Sequence, residues 1–382
     1  MSKKLVIINN IQYLRAIAAL SVVIYHCSIK IDKIAIFHHQ PLPSIRFDGN
    51  IGVDIFFIIS GFIMFHCYHQ GFSQSGSAIN FLIKRLLRIV PLYWFFTLIE
   101  LAFRYGGTSK GAGITITDIM GSLFFIPLQL AHGRVMPLMD IGWTLYYEIF
   151  FYLVFSIALL LPQRLGLGLI AMVMAFSILL GEYFSQYTGV QFISRPIILQ
   201  FLIGVFIGVF YQKYKIQIKK LSRFKMLRFP LIITLLIIAS YSLVFNLLSL
   251  NINRETGLGW RPINWLIAAS IVVIALLSSG DEQQLTKTGW GHRFWKKMGD
   301  CSYSLYLSHP FVLTILHQLW MKFIPNYPAL MPIFFIMAIA SSLIGGIIVH
   351  QYIEKPLLKL VSVYGQWRRP SLSMKLTRHS HQ

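Results

Sequence analysis

Residues Ile11–Cys27 read IQYLRAIAALSVVIYHC, an apolar stretch with an arginine near one end and a histidine near the other. Read as a helix, Arg15 and His26 are eleven residues apart. At roughly 100° per residue that is about 20° past three full turns, so both project from one face. At ~1.5 Å rise they are separated by about 16 Å along the axis. A cation in a hydrocarbon zone is costly and is rarely placed there for packing alone. A histidine further along the same face is able to carry protons. The pattern implies a path into a membrane with chemistry at one end.

The whole chain repeats that apolar character. Its 382 residues are 56% hydrophobic and 12% charged, against about 25% charged in an ordinary soluble domain. Crossing ~30 Å of hydrocarbon takes ~20 apolar residues. About ten runs meet that criterion: Ile11–Ile29, Ile51–Tyr68, Leu86–Arg104, Ile141–Leu161, Leu165–Phe184, Pro196–Lys213, Phe229–Leu250, Ile263–Gly280, Ser302–Met321 and Leu330–Ile353. The expected fold is an all-α integral membrane protein, a polytopic bundle of about ten transmembrane helices. Residues 1–356 form one membrane unit, and residues 357–382 read as a disordered basic tail near anionic lipid. The stretch Ile114–Leu130 holds Thr115, Thr117, Asp118 and Gln129, so it reads as interfacial or re-entrant. No cleavable signal peptide is evident.

Charge sets the orientation. With the N-terminus in the cytoplasm, 23 of the 34 Lys and Arg residues fall in cytoplasmic segments and 10 in the opposite ones, and Arg15 lies within a span. Basic residues collect on the cytoplasmic side, so both termini are expected there. The same rule accounts for the net charge of +21 without nucleic acid. Cys27, Cys67 and Cys301 have no metal-ligand spacing and form no disulfide framework; no metal is expected.

Polar residues can then be placed by depth. In NIGVDIFFIISGF the second span descends from outside, and Asp54 falls at the depth of His26, where a carboxylate orients an imidazole. A helix-start acid favoured by the macrodipole explains Asp54 equally well. In DIGWTLYYEIFFY, Glu148 lies ~10 Å in from Ile141. An acid at that depth needs a partner or a cavity. In FLIKRLLRIVPLYW, Arg85 and Arg88 are neighbours on one helix face. They serve either as routine membrane anchors beside Lys84 or as a guanidinium pair for phosphate. Pro91 fits the first turn of that span. In DCSYSLYLSHPF, Tyr303 and four other hydroxyl residues interrupt an apolar helix, and His309 lies ~10 Å from the inner surface, beside Pro310. In IEKPL, Glu354 is available to basic residues at the inner rim.

Together these stretches resemble the membrane acyltransferase-3 family. The resemblance runs from Leu14 to Pro356 through LRAIAALSVVIYH, GVDIFFIISGF, KRLLRIVPLYW, WTLYYE, SYSLYLSHP and EKP. Thr144 stands where that family more often has serine, and Lys84 where arginine is common. The single membrane unit, with no hydrolase-like domain fused after it, looks like the exopolysaccharide and O-antigen O-acetyltransferases of bacterial inner membranes. The resemblance implies acyl-coenzyme A, most often acetyl-CoA, as donor. Arg15, Arg85, Arg88, Tyr303 and His309 would bind it. His26 would be catalytic with Asp54 and Glu148. The acceptor would be a hydroxyl of an envelope glycan or lipid-linked sugar, in contact with membrane lipid. A proton-coupled transporter or flippase of an envelope precursor is the alternative, since sparse intramembrane charge serves it too. Such proteins often carry internal repeats, and none is visible.

Overall fold

A computed structural model describes residues 8–37, 49–106, 114–129, 135–184, 186–221, 261–277, 289–324 and 330–360. The described chain is helical: α1 (Asn9–Phe37), α2 (Asn50–Tyr68), α3 (Ser77–Gly106), α4 (Ile116–Leu123), α5 (Trp143–Ala158), α6 (Gln163–Phe184), α7 (Thr188–Ile193), α8 (Leu199–Lys213), α9 (Lys215–Leu221), α10 (Arg261–Leu277), α11 (Trp290–Asp300), α12 (Ser302–Phe323) and α13 (Met331–Val349). Among the described residues, seven helical stretches are long and apolar enough to cross a membrane: Asn9–Phe37, Asn50–Tyr68, Ser77–Arg104, Asp140–Ala158, Gln163–Phe184, Pro196–Lys213 and Met331–Leu360. Helix α10 is shorter, at 17 residues. Helix α12 is 22 residues long but interrupted by hydroxyls. The expected span Phe229–Leu250 and residues 361–382 of the tail lie outside the described residues.

The bundle is assembled on α2, which packs against α1, α5, α8 and α10. Its contact with α8 is glycine on backbone from both sides. A Cβ at Gly61 would lie 2.1 Å from the Phe201 carbonyl oxygen, and one at Gly204 would lie 2.0 Å from that of Ile58. With no side chain between them the two backbones touch, the packing that membrane helices use where apolar burial alone gives no driving force.

Three expected boundaries change. Helix α1 runs past Ile29 to Phe37, because Ile34 and Ala35 are buried and Lys30 donates to Thr314 of α12 at 3.0 Å. His26 therefore has eleven helical residues beyond it and lies near the helix middle. Helix α3 begins at Ser77, so Pro91 is inside it and removes the N–H that would reach the Leu87 carbonyl. Helix α4 has eight residues, about 12 Å of rise, far short of a crossing. It starts with a Thr115–Asp118 capping box, and Tyr93 and Trp94 of α3 donate to its Ser122 and Leu123 carbonyls at 3.1 and 2.8 Å.

Candidate active site

A cavity of about 410 Å³ opens between α1, α2, α3, α5 and α12, within the ~300–1,000 Å³ range of small-molecule sites. Its charged lining is Arg15, Arg85, Arg88 and Glu148. Three guanidiniums against one carboxylate suit an anion. Arg85 and Arg88 enter from one face of α3, one turn apart. Arg88 is exposed and Arg85 half-buried, so the cavity is reachable from that end. Lys84, next in sequence, is exposed and is not among the lining residues. Arg15 donates to Gln12 Oε1 at 3.1 Å, one turn back on α1.

Glu148 is held inside this cavity. Ser60 of α2 donates to its Oε1 at 3.2 Å, and Tyr152, one turn along α5, also donates to it. The tyrosine hydroxyl of Tyr303 lines the cavity too and donates to the Ile89 carbonyl at 2.8 Å, tying α12 to α3 behind the arginine pair. Tyr306, one turn on, bonds to Thr144 Oγ1 at 2.9 Å and to the Ile141 carbonyl at 3.0 Å.

The two histidines stand beyond Tyr306. The His309 ring lies 6.1 Å from that of Tyr306 and 5.1 Å from that of His26. His309 is fully buried, and His26 is half-buried. Depth counted along the sequence puts the two near opposite faces. The structure makes them neighbours, because α1 is longer than expected and His26 falls toward its middle.

Of the eight residues singled out from the sequence, Arg15, Arg85, Arg88, Glu148 and Tyr303 share the cavity, and His26 and His309 form a separate pair. Asp54 is buried and accepts a hydrogen bond from Gln200 of α8. Glu148, expected with Asp54 as support for His26, lines the cavity with the arginines. Two polar groups were missed. Tyr152 follows Glu148 at i+4, a spacing that brings side chains together and was legible. His350 bonds Glu354 at 2.7 Å in a π-helical turn, His350–Glu354. Ser304 also donates to Glu354, and Arg88 is near enough to interact with that carboxylate. No periodicity argument anticipates a π turn.

An apolar bundle with seven helical stretches long enough to cross a membrane among its described residues is that of a multi-pass membrane protein. Residues 8–350 match the acyltransferase domain family, acyltransferase 3, and the chain belongs to that family. It is 29% identical over 316 residues to the exopolysaccharide production protein ExoZ of Rhizobium meliloti (strain 1021), covering 81% of this chain and 90% of that protein. It is 24% identical over 393 residues to a provisionally assigned O-acetyltransferase of Staphylococcus aureus (strain COL), covering 94% of this chain and 58% of that one. No solved structure matches. The protein is a membrane acyltransferase.

Proposed function

We propose that the protein moves an acyl group, acetyl first among them, from cytoplasmic acyl-coenzyme A to a hydroxyl of an envelope glycan. The observation that carries this reading is the placing of Arg15, Arg85 and Arg88 around one cavity, with Arg15 on the helix that also bears His26. Guanidiniums bind phosphate oxygens through planar, paired donors. The coenzyme's phosphates would rest there, with Tyr303 in the same wall, and its arm would run past Tyr306 toward His26. At ~1.5 Å per residue the arm covers about 16 Å, so the thioester need only reach mid-bundle.

His26 then takes the proton from the acceptor hydroxyl as that oxygen bonds to the thioester carbonyl carbon. The C–S bond breaks, and the coenzyme thiolate leaves and recovers the proton from the imidazolium. An acyl-His26 intermediate is the two-step variant. Acetyl and glycan are supported by the family and by the relatives' names, one an exopolysaccharide production protein and one an O-acetyltransferase. The positive-inside count supports an inner-membrane orientation with cytoplasmic termini. Reporters inserted after Lys213 and before Asp140 should then fall on opposite sides, the first cytoplasmic.

The direct experiment is to give the purified protein labelled acetyl-CoA and an envelope glycan fraction. Label is expected in the glycan as a base-labile ester. Acyl-CoA that neither binds nor reacts, in a protein that moves an envelope precursor across vesicles, would establish the transporter alternative.

A further inference from the structure

His309 is buried beyond reach of solvent and of the arginine cavity, and the residues around it fix its chemistry. Pro310 follows it within α12. Having no N–H, Pro310 leaves the Tyr306 carbonyl without its helical donor. The His309 ring folds back along its own helix, with Nδ1 3.2 Å from the Leu305 carbonyl oxygen and the Tyr306 carbonyl also within reach. A carbonyl only accepts, so Nδ1 carries the hydrogen. In a neutral imidazole the other nitrogen, Nε2, then presents a lone pair. Nε2 is buried and has no hydrogen-bond partner among the described residues. A buried acceptor left open costs stability and calls for a donor. The polar ring set against it is that of His26, 5.1 Å between centroids and tilted by 53°.

We propose that His309 is the positioning residue of His26. A small turn of the adjacent His26 ring brings its N–H onto this open Nε2, holding that imidazole in one tautomer with the opposite nitrogen free for the acceptor hydroxyl. The inference rests on the reading of His26 as the base and adds what orients it: a second, neutral histidine in the place that a carboxylate commonly occupies. A neutral orienting partner adds no buried charge to the apolar surroundings, which an acid would. His309 itself neither gains nor loses a proton during transfer.

The test uses the full chain in lipid nanodiscs, with ¹⁵N-labelled histidine and the variants His26→Ala, His309→Phe and His309→Gln. His309→Phe keeps the ring volume and removes the acceptor, whereas His309→Gln returns an acceptor oxygen near the Nε2 position. In the unaltered protein the His26 ring nitrogens, assigned by their loss in His26→Ala, should show a single tautomer with a hydrogen-bonded N–H. His309→Phe should lower kcat roughly 10–100-fold, as loss of an outer orienting partner commonly does, with KM for acetyl-CoA unchanged. It should also mix the His26 tautomers. His309→Gln should recover most of kcat. Full activity in His309→Phe beside an inactive His26→Ala overturns this inference alone. Full activity in His26→Ala overturns the reading of the base beneath it. If the two His309 variants do not accumulate, mixed tautomers of His26 in the unaltered protein, assigned through His26→Ala, overturn the inference by themselves.

Discussion

The two ends of the Arg15–His26 face differ in almost every physical respect. Around Arg15 the surroundings are charged, hydrated through exposed Arg88, and wide enough for a ligand. Around His26 the charge is carried by Lys30, one turn further along α1, and one side is closed by a buried ring. Charge binds most usefully where solvent and ligand both have access. Proton transfer benefits from a site in which each donor and acceptor is committed. One helix face places the two environments about three turns apart, with Tyr306 as the wall between them. A donor with an anionic head and a reactive end a fixed distance away fits such a division.

The sharpest way to break the comparison is to remove the base. His26→Ala should lower transfer by roughly 10²–10⁴-fold, the usual loss for a general base, while acetyl-CoA binding measured by calorimetry stays intact. Loss of both at once would mean that the two ends are one site. Next in size, Arg85→Ala and Arg88→Ala should each weaken acetyl-CoA binding by roughly 1.5–3 kcal/mol, typical of hydrogen bonds to charged groups. That is about 10–100-fold in Kd. Transfer at saturating donor should be largely retained, because the base is elsewhere. Unchanged binding in a folded double variant would return both arginines to a role as membrane anchors.

The sequence carried the arginine end better than the histidine one. Arg85 and Arg88 are close in sequence, so a single helical turn brings them together, and Arg15 and His26 are related by the same period. The spans around them follow from apolar run length. The His26–His309 contact joins residues 283 positions apart, and no local period encodes it. Depth was the only guide, and it failed because the α1 boundary was set at the first charge, Lys30. Ile31, Ile34 and Ala35 carry an apolar face on beyond that lysine, whose ammonium is satisfied by Thr314. The hydrogen bond from Gln200 to Asp54 is likewise illegible in the sequence, because it depends on the glycine-tight approach of α8. Only the packed bundle sets that approach.

Glu148 tests whether the charged end is tuned. Its carboxylate is held by Ser60 and Tyr152 among three arginines. Glu148→Gln keeps the shape and hydrogen-bonding capacity and removes the charge that opposes an anion. Acetyl-CoA binding should tighten by a few-fold and release of coenzyme A should slow, both read by stopped-flow. A collapse of transfer with unaltered binding and release would instead assign Glu148 to the chemistry at the His26 end.

The smallest effect is expected at Lys84, and its smallness carries information. Lys84, Arg85 and Arg88 share one basic run on α3, and any account of them as anchors alone treats the three alike. Lys84 is exposed and outside the cavity lining, whereas both arginines are inside it. A fully solvated charge contributes little to a site that it does not face. The screening length of about 8 Å at physiological salt weakens what long-range attraction remains. Lys84→Ala should therefore leave the Kd for acetyl-CoA within about twofold, a change below ~0.5 kcal/mol, and should leave kcat unaltered. The comparison with Arg88→Ala, made in the same nanodiscs and at two salt concentrations, separates contact from general attraction. Equal losses at both positions, vanishing together as salt rises, would mean that the helix end attracts anions diffusely and that the cavity does not hold the donor.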